Sequence, residues 1–186
     1  ASNLAVVLAQ LGRSVLIVDS DLRKPRMHQV FRVSNRVGLV NQLTGTADPE
    51  AVFLRTQVPN LWLTPSGPIP PNPSELLASE RMREWIQVVR KRFDHIIIDT
   101  PPALAVTDAT IAGALADGML LTFRAGKITR DDARDCADRL RLADLKILGV
   151  VLNRHRTNVG RYGKSYRYYE SYGAYETESA KAGSAA

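Results

Sequence analysis

Asp19 and Asp21 close an apolar run, VLIVDSDLRKPR (15–26), with Arg23, Lys24 and Arg26 just beyond them. A carboxylate pair at the carboxyl end of a buried strand suits Mg²⁺, which takes one or two carboxylates together with water and substrate phosphates. The same pair also suits a plainer role, capping the turn after the strand. A second run, HIIIDTPPALAVTDA (95–109), leads three isoleucines to Asp99 and then to Pro101 and Pro102. The fixed φ of proline stiffens the chain beyond that carboxylate and sets its direction. Two strands that each deliver an aspartate within one domain predict a single convergent site. Thr107 and Asp108 follow, and are expected to cap the next helix. A third group consists of phenols: all six tyrosines, Tyr162, Tyr166, Tyr168, Tyr169, Tyr172 and Tyr175, fall within fourteen residues. His28, His95 and His155 are scattered without metal-ligand spacing or a nucleophile partner and are assigned no chemistry.

The elements that must position these groups alternate along the chain. ASNLAVVLAQLG places Leu4, Val7, Leu8 and Leu11 at helical spacing and stops on Gly12, a residue suited to a left-handed cap. SVLIVD (14–19), HIIID (95–99), GMLLTF (118–123) and ILGVVLN (147–153) are short apolar runs, three of them with little alternation, as suits strands covered on both faces. Met82, Trp85, Ile86, Val89 and Phe93 mark one helical face. Ala133, Cys136, Ala137 and Leu140 mark another, opened by Thr129 as N-cap with Asp132 three residues on. Residues 65–79 carry five of the ten prolines and predict a stiff extended connection, ending in a short helix from Asn72 or Pro73. The order is that of an α/β domain, doubly wound, with a mostly parallel sheet and helices on both faces.

At 186 residues and 45% hydrophobic, the chain is long enough for one sizeable core and too short for two. No run approaches the length of a membrane helix and no signal-peptide pattern opens the chain, so a cytoplasmic protein is expected. Cys136 stands alone, which excludes an intrachain disulfide or a cysteine metal cluster and points to core packing. Of the net charge of +6, half lies in residues 154–186, where six Lys and Arg face three Glu. Such a balance is compatible with an anionic partner or with ordinary solvated charge, and does not choose a function.

Residues 15–23 resemble the Walker A′ motif, and residues 96–102 the Walker B motif, of the bacterial tyrosine kinases of capsule and exopolysaccharide synthesis. These are deviant-Walker P-loop ATPases related to MinD and ParA. GPIPPNPSELLAS resembles the Pro-rich segment of that family, and the tyrosine cluster resembles its autophosphorylation tail. The resemblance runs from residue 1 to about 176, with four elements in the family's order. It implies ATP and Mg²⁺ as cofactors, with Asp19, Asp21 and Asp99 sharing the roles of metal ligand and proton acceptor. It implies Arg23 as a catalytic candidate reaching across a subunit interface, and Asn153 and Arg154 beside the adenine. Asn153 has an equally good explanation as a strand-end turn residue. The helix at residue 1 resembles the one that follows the Walker A loop, so residues 1–186 are expected to lack that loop and the strand before it, and to be inactive alone. GRYGKS (160–165) is no substitute, because Asn158 stands where the leading glycine belongs and tyrosines follow instead of an apolar helix.

Residues 1–156 are thus expected to form an ATP-binding kinase domain and 157–186 a mobile tyrosine-rich tail. Gly163, Gly173, Lys164, Arg167, Glu170 and Ser171 share the tail with the phenols, a composition that cannot bury itself. Read alone, such a segment also fits a stacking platform for single strands or a sticky low-complexity tail; beside a Mg-ATP fold the six tyrosines become phosphoacceptors. The partners implied are further copies of the chain in a ring, a membrane activator domain fused or separate, and no nucleic acid. The expected place is the inner face of the plasma membrane. A MinD- or ParA-like positioning ATPase and a non-catalytic regulatory subunit are the alternative readings.

Overall fold

The computed structural model describes residues 1–155; the tail, with all six tyrosines, lies outside the described residues. Strand β1 (Val15–Asp19) organises the fold, and every one of its five residues is buried. Successive side chains of a strand point to opposite faces. Leu16 and Val18 accordingly pack with Leu22, Val40, Trp85 and Val89 on one side. Val15 and Ile17 pack with Ala5, Ala9, Leu61 and Leu63 on the other. Covered twice, β1 has no need of a polar face, which is why its sequence shows no alternation.

The strands β2 (Leu54–Arg55), β3 (Leu61–Thr64) and β4 (His95–Asp99) join β1 in a sheet of order β2-β3-β1-β4. Both neighbours of β1 are parallel to it, and β2 is antiparallel to β3. The helix α1 (Ser2–Gln10) lays Ala5 and Ala9 on one face of this sheet, their small side chains allowing close approach. It ends with Leu11 as cap and Gly12 at φ 80°, the left-handed geometry predicted for that glycine. Between β1 and β3 the chain forms two short helices, α2 (Met27–Phe31) and α3 (Leu39–Thr44), and a 3₁₀ turn at Pro49–Val52. The Pro-rich segment ends in α4 (Pro73–Ala78) with Asn72 as N-cap and Pro at the first turn, as expected. Helix α5 (Glu80–Arg90) buries Met82, Trp85, Ile86 and Val89 against the other face of the sheet, with Ser79 accepting a hydrogen bond from the Met82 N–H.

After α6 (Asp108–Gly113), strand β5 (Met119–Arg124), helix α7 (Arg130–Leu142) and strand β6 (Ile147–Asn153) form a parallel β-α-β unit. Its core is Leu121, Cys136 and Leu140; Cys136 is the packed thiol predicted, and burial pushes its pKa up. The mostly parallel α/β arrangement expected is present, and among the described residues β5 and β6 pair with each other, apart from the four-stranded sheet. Among the described residues β4 pairs with β1 alone, and Ile96, Ile97 and Ile98 are half-buried although their unbroken apolar run reads as covered on both faces. No helix among the described residues is long and apolar enough to cross a membrane.

Thr129 and Asp132 form the predicted capping box of α7, the hydroxyl accepting from the Asp132 N–H at 3.1 Å and the carboxylate accepting from the Thr129 N–H at 3.0 Å. Thr129→Ala leaves one of these donors without a partner and is expected to destabilise the domain by about 1 kcal/mol. Thermal unfolding followed by circular dichroism measures this; an unchanged midpoint would show that α7 is held by its apolar face alone.

Candidate active site at the carboxyl ends of the central strands

The register β1–β4 places Asp19 opposite Asp99, the last pair of a parallel ladder. The Ser20 N–H and hydroxyl both donate to the Asp99 carbonyl, at 2.9 and 2.6 Å, which locks the two strand ends together. The chain then folds back, and the Asp19 carboxylate accepts N–H donors from Met27 at 2.9 Å and Arg26 at 3.2 Å through Oδ2. Its Oδ1 is buried with no hydrogen-bond partner. Desolvation raises the Asp19 pKa from 3.8 to about 6, the two backbone donors opposing the shift and Asp99 and Asp21 adding to it. Burial likewise holds Asp99 above the usual carboxylate range, with Asp21 adding to the shift.

Asp21 is half-buried and caps the turn, Oδ1 accepting from the N–H of Lys24 at 2.9 Å and of Arg23 at 3.3 Å. The plainer reading of this carboxylate therefore holds for one of its oxygens. The Arg23 guanidinium, expected as a contact across a subunit interface, is 40% exposed and bonds within the chain. Its Nε donates to Asp108 Oδ2 at 2.8 Å and its Nη2 to Asp108 Oδ1 at 3.1 Å and to the Ser74 hydroxyl at 3.0 Å. The expectation that Thr107 and Asp108 cap α6 is corrected by the same geometry. Thr107 occupies the N-cap position without a side-chain cap bond, and the Asp108 carboxylate is taken by Arg23 and Ser74. Arginine outcompetes the local N–H groups because its planar fork gives both oxygens charge-assisted bonds.

Asn153 and Arg154 lie elsewhere, at the end of β6 in the second sheet. Asn153 Oδ1 accepts from the Arg154 N–H at 2.8 Å, and Arg154 adopts φ 55°, so Asn153 is a turn residue in its own right. An open cleft of about 670 Å³ is lined there by Arg124, Ala125, Gly126, Lys127, Arg154 and His155, so three cations and no carboxylate face it. The structure brings the three aspartates to one strand edge, and the cationic cleft lies at the end of β6.

The aspartates fit a divalent cation. Three carboxylates at one edge repel one another, two are raised by burial, and Asp19 Oδ1 is an orphaned hard oxygen donor. Among the described residues no three His, Cys, Asp or Glu side chains converge as a closed metal cage. An ion here would draw only part of its shell from protein, as Mg²⁺ does when it rides on phosphates.

A mostly parallel sheet wrapped by helices, with acidic strand ends at its carboxyl edge, is the fold of P-loop ATPases, and residues 1–131 match the family described as an AAA domain. The chain is 40% identical over 178 residues to the tyrosine-protein kinase YwqD of Bacillus subtilis, covering 96% of this chain and 71% of that protein. It is 40% identical to the putative tyrosine-protein kinase EpsB of Ralstonia nicotianae over 98% of this chain, which spans only 25% of EpsB. The solved kinase domain of the Escherichia coli tyrosine kinase ETK superposes with a TM-score of 0.78 at 36% identity, over 86% of this chain and 64% of that one. The chain belongs to the bacterial tyrosine-protein kinase family. Positioning ATPases share its fold but are the more distant reading.

Proposed function

We propose that this domain, in its full-length protein, transfers the γ-phosphoryl group of ATP to tyrosines of the segment 162–175, each domain acting on the tail of a neighbour in a ring. The observation that carries the reading is the buried, orphaned Oδ1 of Asp19 beside Asp99, a site that asks for a cation and lies where parallel sheets bind phosphates. Asp19, held rigid by two backbone donors, and Asp99 would hold Mg²⁺, which neutralises phosphate charge in such transfers. Asp21 is half-buried and has one oxygen free of its cap bonds, so it is placed to accept the phenol proton as the tyrosine oxygen attacks. The phenol needs such help, its ordinary pKa being about 10. The cleft beside Arg154 supplies cationic side chains for the rest of the nucleotide, with Asn153 shaping the turn. On this reading the domain works at the inner face of the plasma membrane with an activator domain, fused or separate, and its phosphorylation state governs capsule or exopolysaccharide assembly.

The tail then acts as a charge switch. Residues 154–186 carry +3 from six basic and three acidic side chains. Three phosphotyrosines would add about −4.5 to −6 and reverse that sign. Phosphorylated tails are repelled by Asp19, Asp21 and Asp99 and leave, so the ring dissociates. The test is light scattering on the full-length protein before and after Mg-ATP, with phosphates located by mass spectrometry and an all-Phe variant of the six tyrosines as control. Phosphate on residues 162–175 and a smaller particle are expected for the native protein, with neither in the control. A ring that persists when several tail phosphates are present, or that falls apart with ATP in the all-Phe variant, would overturn the switch.

A further inference from the structure

Arg23, Ser74 and Asp108 come from three separate parts of the chain. They are the turn after β1, the first turn of α4 behind the Pro-rich segment, and the first residue of α6 after the Asp99 loop. We infer that they form a positioning clamp, in which Asp108 and Ser74 hold Arg23 so that the Asp21 turn keeps its shape. The inference rests on the phosphoryl-transfer reading above for its kinetic consequence, but not for its structural one.

The Asp108 side chain is fully buried while that of Arg23 is 40% exposed. A buried carboxylate without a partner would be strongly unfavourable, and here its side-chain donors, Arg23 and Ser74, both come from outside its own helix. The Ser74 hydroxyl closes the triangle, donating to Asp108 Oδ1 at 2.7 Å and accepting from Arg23 Nη2 at 3.0 Å. Arg23 chiefly, with Ser74 assisting, holds the Asp108 carboxyl below the usual range, so the clamp stays ionised across the physiological span. Pro73, in the first turn of α4, fixes the backbone that presents Ser74.

The consequence lies one bond away from the clamp. Arg23 is itself one of the two residues whose backbone N–H groups bond Asp21 Oδ1. Its side chain and its amide are thus anchored to different parts of the chain, the first to α4 and α6, the second to Asp21. The turn cannot move Asp21 without stretching the bidentate pair, and a displacement of the Pro-rich segment would be felt at Asp21 through Ser74. Arg23 is a positioning residue on this account, acting through Asp21 and touching no reacting atom.

The test uses Asp108→Asn, Arg23→Lys and Ser74→Ala in the full-length protein, with two readouts. Hydrogen exchange in the nucleotide-free protein should show the amides of Arg23 and Lys24 exchanging at least tenfold faster in Asp108→Asn and Arg23→Lys, with α5 amides unchanged. Ser74→Ala should give a smaller change of the same kind, and serves if a buried substitution prevents folding. In the kinase assay kcat should fall about tenfold in Arg23→Lys at an unaltered KM for ATP, because lysine keeps the charge and loses the fork. Unchanged exchange at residues 23 and 24, or faster exchange spread equally through α5, would overturn the clamp. If exchange responds as expected while the native protein transfers no phosphate to tyrosine, the clamp stands and the phosphoryl-transfer reading fails.

Discussion

Asp19→Asn in the full-length protein is expected to reduce tyrosine phosphorylation by at least roughly a hundredfold, the scale on which a positioned acid–base or electrostatic group contributes, while making the nucleotide-free protein more stable at pH 8. Both effects come from the same burial. The carboxylate is fully buried, one oxygen has no partner, and desolvation lifts its pKa from 3.8 to about 6. The folded state therefore binds its proton more tightly than the unfolded state does. Its contribution to stability is complete below pH 3.8 and is lost as pH rises through about 6, where a buried group must ionise. A shift of this size corresponds to about 3 kcal/mol, an upper bound on what asparagine recovers, because its NH₂ also enters the space around Oδ1. Thermal unfolding of both proteins from pH 4 to pH 8 is the measurement. The variant's advantage should be several degrees at pH 8 and vanish toward pH 4. A variant less stable than the native protein at every pH would show that the carboxylate holds the fold and is not strained in it.

Gly38→Ala is expected to disrupt folding far more than the addition of one methyl group ordinarily does. Gly38 has φ −168°, which any residue can adopt, so left-handed geometry is not the reason. A Cβ there would overlap the Pro65 carbonyl oxygen and the Gly67 amide nitrogen, with the Pro65 carbonyl carbon 2.8 Å away. This close approach is what lets Leu39 N–H donate to Pro65 at 2.7 Å and Val40 N–H to Ser66 at 2.9 Å. Asn35 completes the seam, its Oδ1 accepting from the Gly67 N–H and its Nδ2 donating to the Gly67 carbonyl, both at 3.0 Å. These three atoms that crowd the new methyl are all backbone, so the segments must part, at about 3 kcal/mol or more. The midpoint of thermal unfolding should fall by roughly 10 °C. Gly12→Ala is the control: φ is 80° but nothing lies within 4 Å, so only about 1 kcal/mol of backbone strain is expected. Equal effects of the two substitutions would remove the case for a packed seam.

Much of the fold is legible in the sequence because its signals are local. The apolar runs at 15–19, 95–99 and 147–153 are strands, Thr129 and Asp132 form a capping box, and Pro73 opens a helix. The stretch from residue 27 to residue 64 carries no such signal. Helix α2 has five residues, α3 six and β3 four, and each is too short to show a period before it ends. The unbroken apolar run of β4 suggests cover on both faces, yet among the described residues its isoleucines are half-buried, because cover depends on which elements pack against a strand and that is not written in the run itself.

The sequence by itself determined that this is an α/β nucleotide-site protein with aspartates at two strand ends, because a strand, its apolar faces and the polar residue that stops it are written consecutively. It also determined the family, because the motif residues and their order survive in the chain. The tertiary structure decided which groups meet. It put Asp19 in register with Asp99, buried one carboxylate oxygen without a partner, and turned Arg23 onto Asp108, 85 residues away, and Ser74, 51 residues away. The family resemblance offers Arg23 a place at a subunit interface and local chemistry offers Asp108 the cap of its own helix; in the structure the two side chains bond each other. A carboxylate's choice between a nearby N–H and a distant guanidinium depends on burial and on the fork geometry that matches it, and neither exists until the sheet, α4 and α6 have packed together.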